Sequence, residues 1–115
     1  MAAKGTHLLV DLYGCKSQPV RALGVLAKIA KSNGFRILDK VDHRFGSMKK
    51  GETALLLLAE SHASIHTWPE KGYAAFDFYS CRPLSVKQAG RMVAELVRWF
   101  GCKRYDVKKV ERGRK

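Results

Sequence analysis

The chain has no apolar run that approaches the roughly 20 residues needed by a membrane-spanning helix. We therefore expect no membrane span. Its first residues lack the apolar stretch of a secretory signal, because a lysine, a glycine and a histidine interrupt them, and this favours a cytoplasmic location. With 115 residues the chain can bury one hydrophobic core but not two. The sequence thus predicts a single domain over residues 1–115.

Cysteine is scarce, since the chain has only three cysteines and no CxxC pair. This composition argues against a disulfide framework and against a zinc site, and it favours free thiols in a reducing compartment. Cys15 and Cys102 have no reactive neighbour in the sequence, so we expect both to be structural. We expect no metal site.

Acidic residues are few, with ten Asp and Glu against 22 Lys and Arg, and the formal net charge is +12. The excess is spread along both halves, and only residues 103–115 form a cluster, with seven basic and two acidic residues. This cluster contains a single aromatic residue, Tyr105, and the chain shows no nucleic-acid-binding motif. A solvated basic surface is therefore favoured, and a basic nucleic-acid-binding module is the weaker alternative.

Apolar patterning predicts the order strand, helix, three or four strands, helix, strand. This order is typical of an α+β fold, a two-layer α/β sandwich in which two helices cover one face of a mainly antiparallel sheet. The run TALLLLA at residues 53–59 predicts a strand buried on both faces. The other strands are expected at residues 7–13, 35–45, 62–67, 73–81 and about 104–110.

Two amphipathic helices are expected from apolar residues at three- and four-residue spacing. The first begins at Pro19 with Ser17 as its cap, and it ends at Asn33-Gly34. The second follows Ser85 and ends at Gly101. The predicted buried positions are Val20, Leu23, Leu26, Ala27 and Ala30 in the first helix, and Val86, Ala89, Met92, Val93, Leu96, Trp99 and Phe100 in the second.

The register of the hairpin around Pro69–Gly72 can be predicted, because facing residue numbers in an antiparallel pair have a constant sum. A three-residue loop with Gly72 in the left-handed conformation gives a sum of 142 and places Ser61 opposite Cys81. A two-residue loop gives 141, which keeps Cys81 within one residue of Ser61. Both alternatives place a serine beside a free thiol, with His66 further along the same hairpin.

Several interpretations of these residues remain open. His62 and His66 lie four positions apart, and on a strand this spans about 13 Å, which is too wide for one metal ion. Cys81 or Ser61 with His66 could form a hydrolase-type nucleophile pair, although no orienting acid accompanies it. Cys81 could also be a small buried apolar residue at a strand end.

Four sequence segments carry a resemblance to a known family. They are AESHASIHTWPEKGYAAFDFYSC at residues 59–81, GTHLLVDLYGC at residues 5–15, HRF at residues 43–45 and ERG at residues 111–113. The chain resembles the small prokaryotic S-adenosylmethionine decarboxylases, pyruvoyl enzymes that cleave their own chain. The resemblance implies cleavage between Glu60 and Ser61, which would give a β chain of residues 1–60 and an α chain of residues 61–115.

The resemblance also implies roles for individual residues. Ser61 would become the pyruvoyl group, the electron sink for decarboxylation of S-adenosylmethionine to the aminopropyl donor of spermidine synthesis. His66 would act in self-processing, and Cys81 would be the catalytic acid. The aromatic residues Phe45 and Trp68, with Glu70, would hold the adenosyl moiety. The family further implies a homodimer of processed pairs, with active sites near the dimer interface.

One segment departs from the family pattern. Relatives usually carry a Pro-x-Gly-Val-Ser-Gly segment where this chain has GSMKKGET, and Thr53 takes the position of the usual serine. A threonine keeps the hydroxyl, so a processing role is carried over to Thr53. The altered loop makes arginine or ornithine an alternative substrate, since pyruvoyl relatives act on both. Lys49 and Lys50 are expected at the surface, because inward they would repel cationic substrates.

Overall fold

The computed structural model describes residues 2–16, 21–46 and 51–115. They form one six-stranded sheet, with neighbouring strands antiparallel and the strand order β2-β3-β4-β5-β1-β6. Two helices, α1 and α2, pack on it, and the predicted α+β fold class is confirmed. The bounds are β1 Gly5–Tyr13, α1 Ala22–Ser32, β2 Ile37–Arg44, β3 Glu52–Leu58, β4 Ser61–Trp68, β5 Tyr73–Ser80, α2 Val86–Phe100 and β6 Arg104–Arg112.

The hydrophobic core lies between the helices and one face of the sheet. Side chains alternate between the two faces along each strand, so every second residue points to the helices. The largest fully buried side chains are Leu8, Leu12, Leu26, Ile29, Leu56, Leu58, Ile65, Phe76, Phe78, Met92, Leu96 and Phe100. We call the opposite face the open face, because neither α1 nor α2 covers it.

Strand β3 differs from its prediction. Leu56 and Leu58 are buried under the helices, whereas Leu55 is 44% exposed and Leu57 is 55% exposed on the open face. The expectation that β3 is buried on both faces is therefore wrong, because one of its faces is exposed in the single chain. The physical reason is the layer order, since two helices on one side leave the other side of the sheet uncovered.

Helix α1 begins at Ala22, and residue 21 provides no side-chain cap. The carboxylate of Glu52, at the start of β3, instead accepts hydrogen bonds from the backbone N–H groups of Ala22, at 2.8 Å, and Leu23, at 3.2 Å. A buried acid from a distant strand thus accepts hydrogen bonds from the unpaired N–H groups at the positive end of the helix. The predicted start at Pro19, with Ser17 as cap and Val20 buried, lies outside the described residues, as do Lys49 and Lys50.

The buried stripe of α1 is rotated from the predicted one, whereas the buried residues of α2 are all among those predicted. In α1 the stripe comprises Ala22, Val25, Leu26, Ile29 and Ala30. Helix α2 has the predicted ends, a capping box at Ser85 and a left-handed Gly101, but Val86 is 81% exposed because the first turn extends beyond the core. Its buried residues are Met92, Val93, Leu96 and Phe100.

The basic cluster at residues 103–115 is largely an element of the sheet. Strand β6 occupies Arg104–Arg112 at the edge beside β1, two residues longer than predicted, and every one of its residues is exposed. Neither described helix is long and apolar enough to cross a membrane. The cytoplasmic location and the absence of nucleic-acid binding stay predictions.

Candidate active site

The Glu60–Ser61 peptide lies in a tight turn at one end of the sheet. Leu58 pairs with Ser61, so Ala59 and Glu60 alone connect β3 to β4. Glu60 has φ 64°, and it is the one non-glycine residue with positive φ in the described part of the chain. A left-handed conformation costs an L-residue about 1 to 2 kcal/mol. Backbone strain is thus concentrated at the residue before the predicted cleavage point.

Two donors contact the carbonyl oxygen of Glu60. The Ser61 hydroxyl donates to it at 2.7 Å, and the backbone N–H of Cys81 donates to it at 3.2 Å. Ser61 is only 7% exposed. The hydroxyl therefore lies beside the carbonyl that it would attack, and the Cys81 amide is placed to stabilise negative charge on the same oxygen.

The register of the β4–β5 hairpin corrects one prediction. Ser61 pairs with Ser80, and Cys81 lies opposite Glu60, so the facing numbers sum to 141. The sum of 142, with Ser61 directly opposite Cys81, is wrong, and nearness within one residue is confirmed. The connection has four residues, because Pro69–Lys71 form a 3₁₀ helix before the left-handed Gly72, whose conformation was predicted.

The Cys81 thiol is exposed and lines a cavity of about 230 Å³ at the same end of the sheet. The interpretation of Cys81 as a buried apolar residue is therefore wrong. Thr6, Glu111 and Arg114 line this cavity too, and Glu111 forms an ion pair with Arg114. Glu111 was not among the predicted site residues, although the ERG segment at residues 111–113 was a signal for it.

The remaining predicted site residues line a second cavity, of about 470 Å³, at the opposite end of β4. Within it, the Thr53 hydroxyl lies 3.0 Å from Nδ1 of His66, its cross-strand partner. The threonine thus supplies a hydroxyl to the histidine. The lining residues are Phe45, Gly51, Glu52, Thr53, His66, Thr67, Trp68 and Glu70.

Close backbone packing and an aromatic pair shape this second cavity. A Cβ on Gly51 would lie 2.5 Å from the carbonyl oxygen of Thr67, so only glycine permits this approach of β3 to β4. The Trp68 ring packs 5.2 Å from the ring of Tyr73. The Tyr73 hydroxyl donates to Asp11 at 2.6 Å, and this bond, with burial, raises the pKa of Tyr73 to about 12. Tyr73 therefore stays neutral and helps to position Trp68.

Within one chain the two groups of predicted residues do not meet. Ser61 and His66 are five positions apart on β4, which corresponds to about 16 Å. They also point to opposite faces, Ser61 towards the helices and His66 towards the open face. The structure therefore brings together Glu60, Ser61 and Cys81 at one end, and Phe45, Thr53, His66, Trp68 and Glu70 at the other.

Fold and site together define a small two-layer α+β domain in which a serine hydroxyl donates a hydrogen bond to the backbone carbonyl of the preceding residue. The family model for S-adenosylmethionine decarboxylase matches residues 6–113. The chain belongs to the S-adenosylmethionine decarboxylase family, and the resemblance drawn from its motifs is confirmed.

Individual relatives agree with this assignment along nearly the whole chain. The S-adenosylmethionine decarboxylase proenzyme of Prochlorococcus marinus (strain MIT 9313) is 37% identical, over 94% of this chain and 86% of its own length. The proenzyme of Clostridium botulinum (strain Langeland) is 30% identical, over 99% of this chain and 98% of its own. The crystal structure of the adenosylmethionine decarboxylase from Aquifex aeolicus VF5 is similar, with a TM-score of 0.81, 31% identity, and coverage of 98% of this chain and 93% of that one.

Proposed function

We propose that the chain is a proenzyme that cleaves itself after Glu60 and then decarboxylates S-adenosylmethionine, giving the aminopropyl donor of spermidine synthesis. The observation that carries this proposal is the Glu60 carbonyl oxygen, which accepts from both the Ser61 hydroxyl and the Cys81 amide. Membership of a family whose relatives are named proenzymes supports it. The working enzyme would consist of residues 1–60 and 61–115.

Self-cleavage needs only water and groups of the protein, drawn from one copy or from two. The Ser61 hydroxyl attacks the carbonyl carbon of Glu60, and the Cys81 N–H stabilises the charge on the oxygen. Breaking the peptide C–N bond leaves an ester between the Glu60 carboxyl group and the Ser61 side chain. Loss of the Ser61 Cα proton expels the Glu60 carboxylate, and water then replaces the nitrogen, which leaves as ammonia. Residue 61 ends as a ketone, the pyruvoyl group.

The residues around position 61 fit such a group. Such a ketone would supply an acceptor for the substrate amine and the electron sink that loss of carbon dioxide requires. The Cys81 thiol is exposed and directly follows Ser80, the partner of Ser61 at the end of β5, so it can return a proton to the substrate carbon.

The second cavity suits the adenosyl moiety and the sulfonium centre. The rings of Phe45 and Trp68 offer faces on which adenine stacks. The Glu70 carboxylate can pair with the positive sulfur. Thr53 and His66, hydrogen-bonded to each other, are placed for proton transfer.

We further propose that two copies form the active sites together, through their open faces. Because Ser61 and His66 are far apart in one chain, a site that uses both needs a second molecule. A two-fold axis running across the strands near Ser64 would place the β3–β4 turn of one copy, with its Glu60–Ser61 peptide, beside His66 of its partner. The open face also carries exposed apolar side chains that such packing would bury, namely Leu9, Val41, Leu55, Leu57, Trp68 and Val110.

Mixed dimers test this shared site. Ser61→Ala and His66→Ala chains should each remain uncut alone, because each site lacks one group. After unfolding and refolding together, the His66→Ala chain should be cut, since its intact Glu60–Ser61 peptide can lie beside His66 of the partner. Mass spectrometry identifies its 61–115 product by the His66→Ala mass change. An uncut mixture, or normal cleavage of His66→Ala alone, would contradict the shared site.

The substrate is tested by release of labelled carbon dioxide from S-adenosylmethionine, arginine and ornithine. We expect turnover of S-adenosylmethionine alone. Trp68→Ala should raise its KM about tenfold, which corresponds to loss of one ring contact of about 1.4 kcal/mol. Tyr105→Ala is the matched control, because it removes an exposed aromatic residue on β6, away from the cavity. Activity only on arginine or ornithine, unchanged in Trp68→Ala, would establish the alternative substrate class.

A further inference from the structure

Cys15 and Cys102 lie side by side although 87 positions separate them in the sequence. Their sulfur atoms are 3.6 Å apart, and both side chains are partly buried against the core. Neither cysteine has a reactive neighbour in the sequence, but in the fold each thiol lies beside the other. Cys15 follows β1, and Cys102 follows α2, so the fold and not the local sequence brings the thiols together.

Backbone hydrogen bonds hold both cysteine segments in place. The N–H of Cys15 donates to the carbonyl of Gly72 at 2.8 Å, and the N–H of Cys102 donates to Val97 at 3.4 Å. The two segments are also bonded to each other, from Lys16 N–H to Gly101 at 3.3 Å and from Lys103 N–H to Tyr13 at 2.9 Å. Because a disulfide bond is about 2.05 Å long, the sulfurs need to approach by about 1.5 Å, within reach of side-chain rotation.

The position of this pair matters because of the strand order. If the chain is cut after Glu60, residues 1–60 keep β1, β2 and β3, and residues 61–115 keep β4, β5 and β6. Three of the five strand junctions, β3–β4, β5–β1 and β1–β6, then join different chains. No covalent bond would connect the two products, and Cys15 belongs to one whereas Cys102 belongs to the other.

We propose that Cys15 and Cys102 form a reversible disulfide that covalently joins the two chains of the processed enzyme. The joining of two chains rests on the proposed self-cleavage, whereas formation of the disulfide does not. The oxidant is a small-molecule disulfide. One cysteine thiolate attacks it, forming a mixed disulfide and releasing one thiolate. The thiolate of the second cysteine then attacks the sulfur of the first cysteine in this mixed disulfide and releases the other small-molecule thiolate. Two cysteines are oxidised, one disulfide is reduced to two thiols, and the two protons pass to the released thiolates.

Thiol ionisation sets the pH dependence of this reaction. Burial, with the neighbouring Cys102 thiol, raises the pKa of Cys15 to about 12, and burial also raises the pKa of Cys102. Only thiolates attack disulfides, so oxidation is slow near neutral pH. Below both pKa values the thiolate fraction increases tenfold per pH unit, and the oxidation rate should increase about tenfold from pH 7 to pH 8.

The test is treatment of the native wild-type protein with oxidised glutathione, followed by alkylation, denaturation and mass spectrometry without reductant. We expect one species of linked 1–60 and 61–115 chains, two hydrogen atoms lighter than their sum, which reductant separates. Peptide mapping should join Cys15 to Cys102. Cys81→Ser should still form the link, whereas Cys102→Ser should not. Separate chains with Cys15 and Cys102 both alkylated, or mapped only to glutathione, would overturn the proposal.

The uncut Ser61→Ala chain distinguishes this proposal from the proposed cleavage. It should give the same joined peptides within one chain of 115 residues. If wild-type protein also stays uncut but shows the joined peptides, self-cleavage fails and the disulfide stands. If wild-type protein is cut but no joined peptides form at pH 9, the disulfide fails and the cleavage stands.

Discussion

Replacing Ser61 by alanine should leave one uncut chain of 115 residues with no decarboxylase activity. The substitution removes the hydroxyl that lies 2.7 Å from the Glu60 carbonyl oxygen, and no other side-chain hydroxyl of the described residues is placed there. It also removes the atom whose elimination creates the ketone. Denaturing mass spectrometry and release of labelled carbon dioxide measure the two losses on one sample.

The comparison needs wild-type protein and a rescue variant. Wild-type protein should give chains of 60 and 55 residues, the shorter beginning with a blocked pyruvoyl group. Ser61→Cys keeps a nucleophile at the same position and should restore cleavage. If fresh and aged wild-type protein both remain a single chain with unmodified Ser61, the proposed proenzyme function is wrong.

Replacing Cys81 by alanine should lower turnover by roughly 10²- to 10⁴-fold, the usual effect of removing one acid or base. Cleavage should be retained, because the Glu60 carbonyl accepts from the backbone N–H of Cys81, which alanine also has. The two contributions of Cys81 are thus separable by one substitution. Turnover is measured on protein that mass spectrometry shows to be fully cut.

Cys102→Ala is the control for thiol loss, since Cys102 lies beside Cys15, outside both cavities. It should turn over substrate as wild-type protein does. Normal turnover by fully cut Cys81→Ala would exclude the thiol as the proton donor, and loss of cleavage in this variant would show that the side chain also acts in processing.

Elements whose signals are local were predicted well from the sequence. Helix α2 has its cap at Ser85 and its stop at Gly101, both readable within a few residues. The start of α1 was not predictable in this way, because its cap is Glu52, 30 positions away. The exposure of Leu55 and Leu57 on β3 was missed for a related reason. A continuous apolar run does not tell whether the same chain provides a layer that covers each face of the strand.

In the candidate site, too, features with local sequence signals were predicted, and features that depend on distant residues were not. Nearness of Ser61 and Cys81 followed from hairpin register, although the 3₁₀ turn at Pro69–Lys71 shifted the pairing by one residue. The positive φ of Glu60 carried no sequence signal, because that conformation is rare for glutamate. The roles of Phe45 and Glu70 came from family resemblance, and their common cavity required coordinates.

The hydrogen bond from Cys81 to Glu60 would make the timing of the proposed cleavage depend on folding. The donor comes from the end of β5, 21 residues after the bond to be broken, and it reaches that carbonyl only when β5 has paired with β4 in the correct register. A nascent or misregistered chain lacks the donor and should keep its peptide bond. The proposed cleavage would then irreversibly mark only those molecules whose central hairpin has already formed correctly.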